Sequence, residues 1–208
     1  MKTRTTLLAA TALVALIAGP IAATSAQGPA PSAKGVTAAA PGTCTPTHLA
    51  AIAEGFADAR EMTTRAITFL EERPADPHIA RFFGTTPRKV LIENYRIISE
   101  AFGRRDELDL RCEDRAVCGT GGTFAYVMFA HAQRPRTAMG FCGAYFAAAR
   151  TGQDNRGGIV IHEVSHWSLN ARDAEYQPRG AQDLAKDEPH VAAMNADNYE
   201  YFAEFMPR

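Results

Sequence analysis

Gly157-Gly158-Ile159-Val160-Ile161-His162-Glu163-Val164-Ser165-His166-Trp167 contains the pattern His-Glu-x-x-His, and its spacing decides what the surrounding fold must be. At 3.6 residues per turn, positions i and i+4 lie one above the other on a helix. His162 and His166 can therefore point two imidazoles at one ion from a rigid support. Glu163 sits one residue round the helix, within reach of a water on that ion but outside its ligand set. Two His ligands beside a Glu general base suit zinc-assisted peptide hydrolysis. An ordinary amphipathic helix with solvated or hydrogen-bonded histidines can carry the same pentad, so the flanks matter. Ile159, Val160, Ile161, Val164, Trp167 and Leu169 suit a buried helix at the floor of a cleft. Gly157-Gly158 marks the point where a loop gives way to it.

The chain of 208 residues is enough for one domain of ordinary size. Its first 26 residues read as a signal peptide. Lys2 and Arg4 form a basic start, Leu7 to Ala18 an apolar run too short to span a membrane, and Thr24-Ser25-Ala26 a small-residue cleavage site. Residues 27–43, rich in Pro, Ala, Gly and Ser, read as a flexible leader, and 44–208 as the folded domain. Without Lys2 and Arg4 the formal net charge moves from −1 to −3. No basic stripe is present, which argues against nucleic-acid and anionic-membrane partners. The expected partner is a protein or peptide substrate, and the expected state a secreted monomer, extracellular or periplasmic. Cys44, Cys112, Cys118 and Cys142 are an even set in a chain read as exported, so two disulfides are expected. No C-x-x-C spacing favours a cysteine metal site.

Within the domain, Thr47 to Arg73 has a helical apolar pattern ended by Pro74. Thr86-Pro87 reads as a cap and first-turn proline opening a second helix to about Phe102, stopped by Gly103. Leu108–Cys112, Thr123–Ala130 and Thr137–Cys142 read as short strands of a small sheet. Tyr145 to Arg150 suits one helical turn. An irregular stretch is expected after the His-Glu-x-x-His helix to about Gly180, then a C-terminal helical region with Asp187 as cap and Pro189 in its first turn. Helices, strands, then helices make the class α+β. His48, His78, His131 and His190 are scattered and are expected at the surface.

Catalytic zinc takes three protein ligands and keeps one position open. A His six residues after His166 is ruled out, because position 172 is Arg172. Glu188, about twenty residues on, adjoins Pro189 at a helix start and is awkwardly presented. Asp173 and Glu175 are the nearest carboxylates. Asp173 is followed three residues later by Tyr176, so a ligand and an oxyanion-stabilising phenol can come from one turn.

His162-Glu163-x-x-His166, Asp173-x-x-Tyr176 and Asn195-Ala196-Asp197-Asn198-Tyr199-Glu200-Tyr201-Phe202, in that order, resemble the aspzincins, the deuterolysin and peptidyl-Lys metalloendopeptidase family (M35). Phe124-Ala125-Tyr126-Val127 and Phe141-Cys142-Gly143-Ala144 are also similar to it. The resemblance runs from about Cys44 to the C-terminus. It implies a zincin-like domain, mainly helical, with a small antiparallel-containing sheet. It implies one zinc ion held by His162, His166 and Asp173, with Glu163 as general base and Tyr176 stabilising the tetrahedral intermediate. It implies pairing of Cys44 with Cys112 and of Cys118 with Cys142, although the spacing between Cys112 and Cys118 is wider than usual there. Asp197 and Glu200 match acidic residues of the S1′ pocket in the lysine-specific branch. They also sit at i and i+3, on one helix face, where two carboxylates can hold a lysine ammonium. In the plainer reading, Asp197 caps a helix and Glu200 is solvated. The segment Asn170 to Gln177 departs from the family: it lacks Gly-Thr before the Asp and Gly after the Tyr, and is about two residues short. Its turn must differ, which keeps Glu175 as the weaker candidate ligand.

The resulting expectation is a secreted zinc endopeptidase cutting on the N-terminal side of lysine. The alternatives are a zinc peptidase restricted to cell-wall peptides or one partner protein, and an exported binding or toxin-like module with a vestigial site.

Overall fold

The computed structural model describes residues 42–207. The expected signal peptide and nearly all of the leader lie outside the described residues. Helix α1 (Pro46–Glu72) starts on Thr45, whose hydroxyl accepts from the His48 N–H, while the His48 ring accepts from the Thr45 N–H. Its apolar face, from Ile52 through Phe56, Ala59, Met62 and Ala66 to Leu70, is buried. Next comes α2 (Pro77–Phe83), absent from the sequence expectation; Asp76 caps it by accepting from the His78 N–H at 2.9 Å. Helix α3 (Arg88–Ala101) begins after Pro87. Thr86 does not cap it; its hydroxyl donates to the Pro189 carbonyl instead. Nor does Gly103 stop it, because the chain continues as a 3-10 turn over Phe102–Glu107.

Strands β1 (Asp109–Cys112), β2 (Ala125–Met128) and β3 (Ala138–Phe141) form one mixed sheet, with the short α4 (Arg115–Cys118) between the first two. The order is β1-β3-β2. The central β3 runs parallel to β1 and antiparallel to β2, so Met139 stands opposite both Leu110 and Val127. Disulfides Cys44–Cys112 and Cys118–Cys142 tie the start of α1 to β1 and α4 to the residue after β3. The class is α+β, mainly helical with a small sheet.

The second half is α5 (Gly143–Ala147), α6 (Arg156–Leu169), α7 (Gln177–Asp187), α8 (Pro189–Ala192) and α9 (Ala196–Glu204). The stretch expected to be irregular to Gly180 already enters α7 at Gln177, and Asp187 is the last residue of that helix, not a cap. Helix α6 is the centre of the molecule: α1, α3 and α9 pack on it, and β2 lies against it. Behind it, Phe69, His78, Phe82 and Phe202 form an aromatic cluster. His78 is therefore not at the surface. Its ring is buried and its Nε2 lies 2.9 Å from the Phe202 carbonyl. No described helix is long and apolar enough to cross a membrane.

Gly157 and Gly158 do not precede α6; they form its first turn. At Gly157 a Cβ would lie 2.7 Å from Met62 Sδ and 3.1 Å from the Ala59 backbone nitrogen, so α1 and α6 approach through a missing side chain. Gly157→Ala should therefore destabilise the fold by about 1–3 kcal/mol through overpacking. At Gly103 a Cβ meets nothing within 4 Å. Urea denaturation of the two alanine variants checks this; equal midpoints would mean that the helix contact is loose.

Candidate active site

Helix α6 is set by its two ends. Asn155 caps it, its side-chain oxygen accepting from the Gly158 N–H at 3.0 Å. Asn170 closes it in the left-handed region, at φ 55°, where Asn is among the few residues tolerated. That reversal brings the Ala171 carbonyl back under the helix, 2.8 Å from His166 Nδ1. The proton of the ring then belongs on Nδ1, and the lone pair on Nε2. The same holds for His162, whose Nδ1 lies 2.9 Å from Asp197 Oδ1 and 3.1 Å from Glu200 Oε2. That edge of the ring faces both oxygens without lining up on either, so Nδ1 makes no well-directed hydrogen bond.

The two freed lone pairs face each other. His162 Nε2 and His166 Nε2 are 3.1 Å apart, and each is 3.1 Å from Asp173 Oδ1. Three acceptors at mutual contact distance repel unless something positive sits among them. Ligand atoms on a tetrahedral zinc at about 2.0–2.1 Å lie about 3.3 Å apart, so the triangle has the size of one tetrahedral face. The donor set suits zinc, with the fourth direction left to the cleft. Asp173, and not Glu175, completes this group. The Glu175 carboxylate leans toward Gly180 on α7 instead.

The local field has the same sense. Burial works against charge on His162, but the Asp173, Asp197 and Glu200 carboxylates outweigh it and hold the imidazole well above its ordinary value. His166 is raised by the balance of burial against Asp173. Burial alone would raise Asp173, yet the two histidines hold it far below the usual carboxylate range. Glu163 differs: burial pushes its carboxyl up to about 7, against the pull of both histidines. Its Oε2 is buried without a hydrogen-bond partner. A buried, unsatisfied carboxyl poised near neutrality is a proton acceptor waiting for a donor.

A cleft of about 710 Å³ opens over these residues. Phe124, Ala125, Tyr126 and Val127 line it from the strand side, and Tyr176 and Phe129 from the rim. Tyr176 is 59% exposed. Burial, then the charge of Asp173, raises its phenol. Asp154, Asp197 and Glu200 make an acidic wall beside Ile159 and Tyr201. Glu200 is buried, not solvated. Asp197 does act as a cap, but of a neighbouring helix: its Oδ2 accepts from the N–H of Gln177, the first residue of α7.

Two participants were given no role by the sequence alone. Asp154, at φ 52°, receives the Tyr201 hydroxyl at 2.7 Å, and its N–H donates to Glu204. Asn195 belongs to the motif that includes Asp197 and Glu200, yet its partners Ala174 and Glu175 lie about twenty residues upstream. No local pattern reports a contact of that span.

Residues 70–204 match the aspzincin M35 family, described as lysine-specific metallo-endopeptidase. The chain is 31% identical over 173 residues to a peptidyl-Lys metalloendopeptidase of Pleurotus ostreatus, covering 79% of this chain and 95% of that protein. It is 29% identical over 170 residues to a peptidyl-Lys metalloendopeptidase of Grifola frondosa. There it covers 79% of this chain but spans only 46% of the relative's length. Its fold is similar to that of a zinc peptidase from Grifola frondosa, with a TM-score of 0.65 at 28% identity, over 77% of this chain and 96% of the other. With a family match over most of the domain, a shared fold and a donor set of the right kind, the chain belongs to the aspzincin M35 family.

Proposed function

We propose that the chain is an exported zinc endopeptidase that cuts peptide bonds on the N-terminal side of lysine. The observation that carries the zinc chemistry is the 3.1 Å triangle of His162, His166 and Asp173 beside the buried Glu163 carboxyl. These three residues would hold the ion. When bound, zinc supplies a Lewis acid that polarises the scissile carbonyl and acidifies water.

The chain's own groups do the rest. Glu163 takes the proton of the attacking water and returns it to the leaving amine. The Tyr176 phenol, exposed at the rim, donates to the oxygen on which negative charge develops. Strand β2 pairs with β3 on one side only and lines the cleft. Its free edge offers backbone N–H and C=O groups to an extended substrate strand. The acidic wall receives the P1′ ammonium, which is the charge missing from its cluster of carboxylates. Names of the relatives support lysine as that residue. Two disulfides support folding in an oxidising compartment.

Asp197→Asn combined with Glu200→Gln tests the pocket. The amides still offer oxygen to His162 Nδ1 but no net charge to a lysine. The ratio of kcat/KM for lysine over an uncharged P1′ residue should fall by about 10- to 100-fold, the worth of a charged hydrogen bond. Mass-spectrometric cleavage profiles read it directly, and an unchanged lysine preference would remove both residues from the pocket.

A further inference from the structure

We infer that Asn195 is a positioning residue for the metal site: its side chain holds the turn that delivers Asp173 and Tyr176. The inference rests on the reading of Asp173 as a zinc ligand. The turn has little structure of its own. Residues 172–176 belong to no helix or strand, and Asp173 is exposed. Something outside the turn must fix it, because a ligand oxygen misplaced by an ångström no longer completes the triangle.

Asn195 does this from complete burial. Its Oδ1 accepts from the Ala174 N–H at 2.8 Å and the Glu175 N–H at 3.3 Å. Its Nδ2 donates to the Glu175 carbonyl at 3.0 Å and to Asn198 Oδ1 at 2.7 Å. Both lone pairs and both protons of the amide are used, which is its full capacity. Three of those four bonds go to the two residues between Asp173 and Tyr176. On the other side of Asp173, the Arg172 N–H donates to Met194 and the Ala196 N–H to Arg172, at 2.8 and 2.9 Å. The ligand is thus pinned on both flanks to one segment, residues 194–196.

That segment is itself anchored. Asn198 donates through Nδ2 to the Phe82 carbonyl on α2 and to the Ala181 carbonyl on α7, the latter at 2.8 Å. A path of buried amides therefore runs from two helices through Asn198 and Asn195 to the backbone beside Asp173. A turn outside any helix or strand acquires rigidity this way. An outer partner of this kind typically changes metal affinity by about 10- to 100-fold.

The test is zinc affinity, by competition with a chromophoric chelator, on the metal-stripped mature domain. The proteins are the wild type, Asn195→Ala, Asp173→Ala and the double variant, each shown folded by near-ultraviolet circular dichroism. Asn195→Ala should weaken zinc binding about 10- to 100-fold. In the Asp173→Ala background the same change should do almost nothing more, because its effect passes through Asp173. Equal weakening in both backgrounds would make Asn195 a general structural residue and overturn the inference. So would a change within about twofold in a folded Asn195→Ala. If Asp173→Ala itself leaves zinc affinity unchanged, the ligand reading fails first, and that arm identifies the failure. Should Asn195→Ala not fold, Asn195→Asp serves: it keeps the acceptor for two N–H groups, loses both donors, and is expected to show a smaller loss with the same dependence on Asp173.

Discussion

Glu163→Gln should lower kcat by about 100- to 10,000-fold, the contribution of a positioned acid–base group, and leave zinc affinity unchanged. The substitution is nearly isosteric in a buried site. It removes only the ability to take a proton. The carboxyl is not in the three-atom triangle, so the ion should remain held by His162, His166 and Asp173. Burial pushes its carboxyl up to about 7, the direction that suits a proton acceptor near neutrality. Single-turnover assays on the zinc-loaded variant, with metal content measured alongside, check both halves. A fully active Glu163→Gln would end the general-base assignment. Loss of zinc together with activity would mean that Glu163 is a ligand.

His166→Ala should remove both activity and the zinc-dependent gain in thermal stability. A ligand that binds only the folded chain stabilises it by about 2.7 kcal/mol at 100 times its Kd. The wild type should therefore melt higher with zinc than with a chelator, by several degrees. His166 supplies one corner of the triangle, and its Nε2 is aimed there by the Ala171 carbonyl on Nδ1. Alanine leaves only two donors, His162 and Asp173. Melting curves with and without zinc should then coincide for the variant. An undiminished zinc shift in His166→Ala would place the ion elsewhere.

What could be read from the sequence follows from which contacts are local. The His162–His166 face and the buried flank of α6 repeat every 3.6 residues, so they are visible without any partner. The three strands are visible because turn residues separate them. Helix α2 is only seven residues long, too short to express a period. Its Asp76-Pro77 start is the same kind of signal as Thr86-Pro87, where the helix begins one residue later than expected, after Pro87, and the threonine turns away to bond Pro189. Gly157 and Gly158 look like a loop because glycine usually marks one. Here they make room for α1 and for Glu204, a cause that lies in other helices. His78 looks polar in isolation but is packed among aromatic rings. The turn carrying Asp173 draws its support from Asn195, twenty-two residues away. The spacing of Asp173 and Tyr176 was legible; the clamp on the two residues between them was not.

The most direct measurement is a digest of an unfolded protein mixture by the purified domain, with and without a chelator, every cut site being read by mass spectrometry. Cuts before lysine that vanish with the chelator and return with added zinc are expected. Chelator-resistant cutting, or no cutting by a zinc-loaded domain, would contradict it.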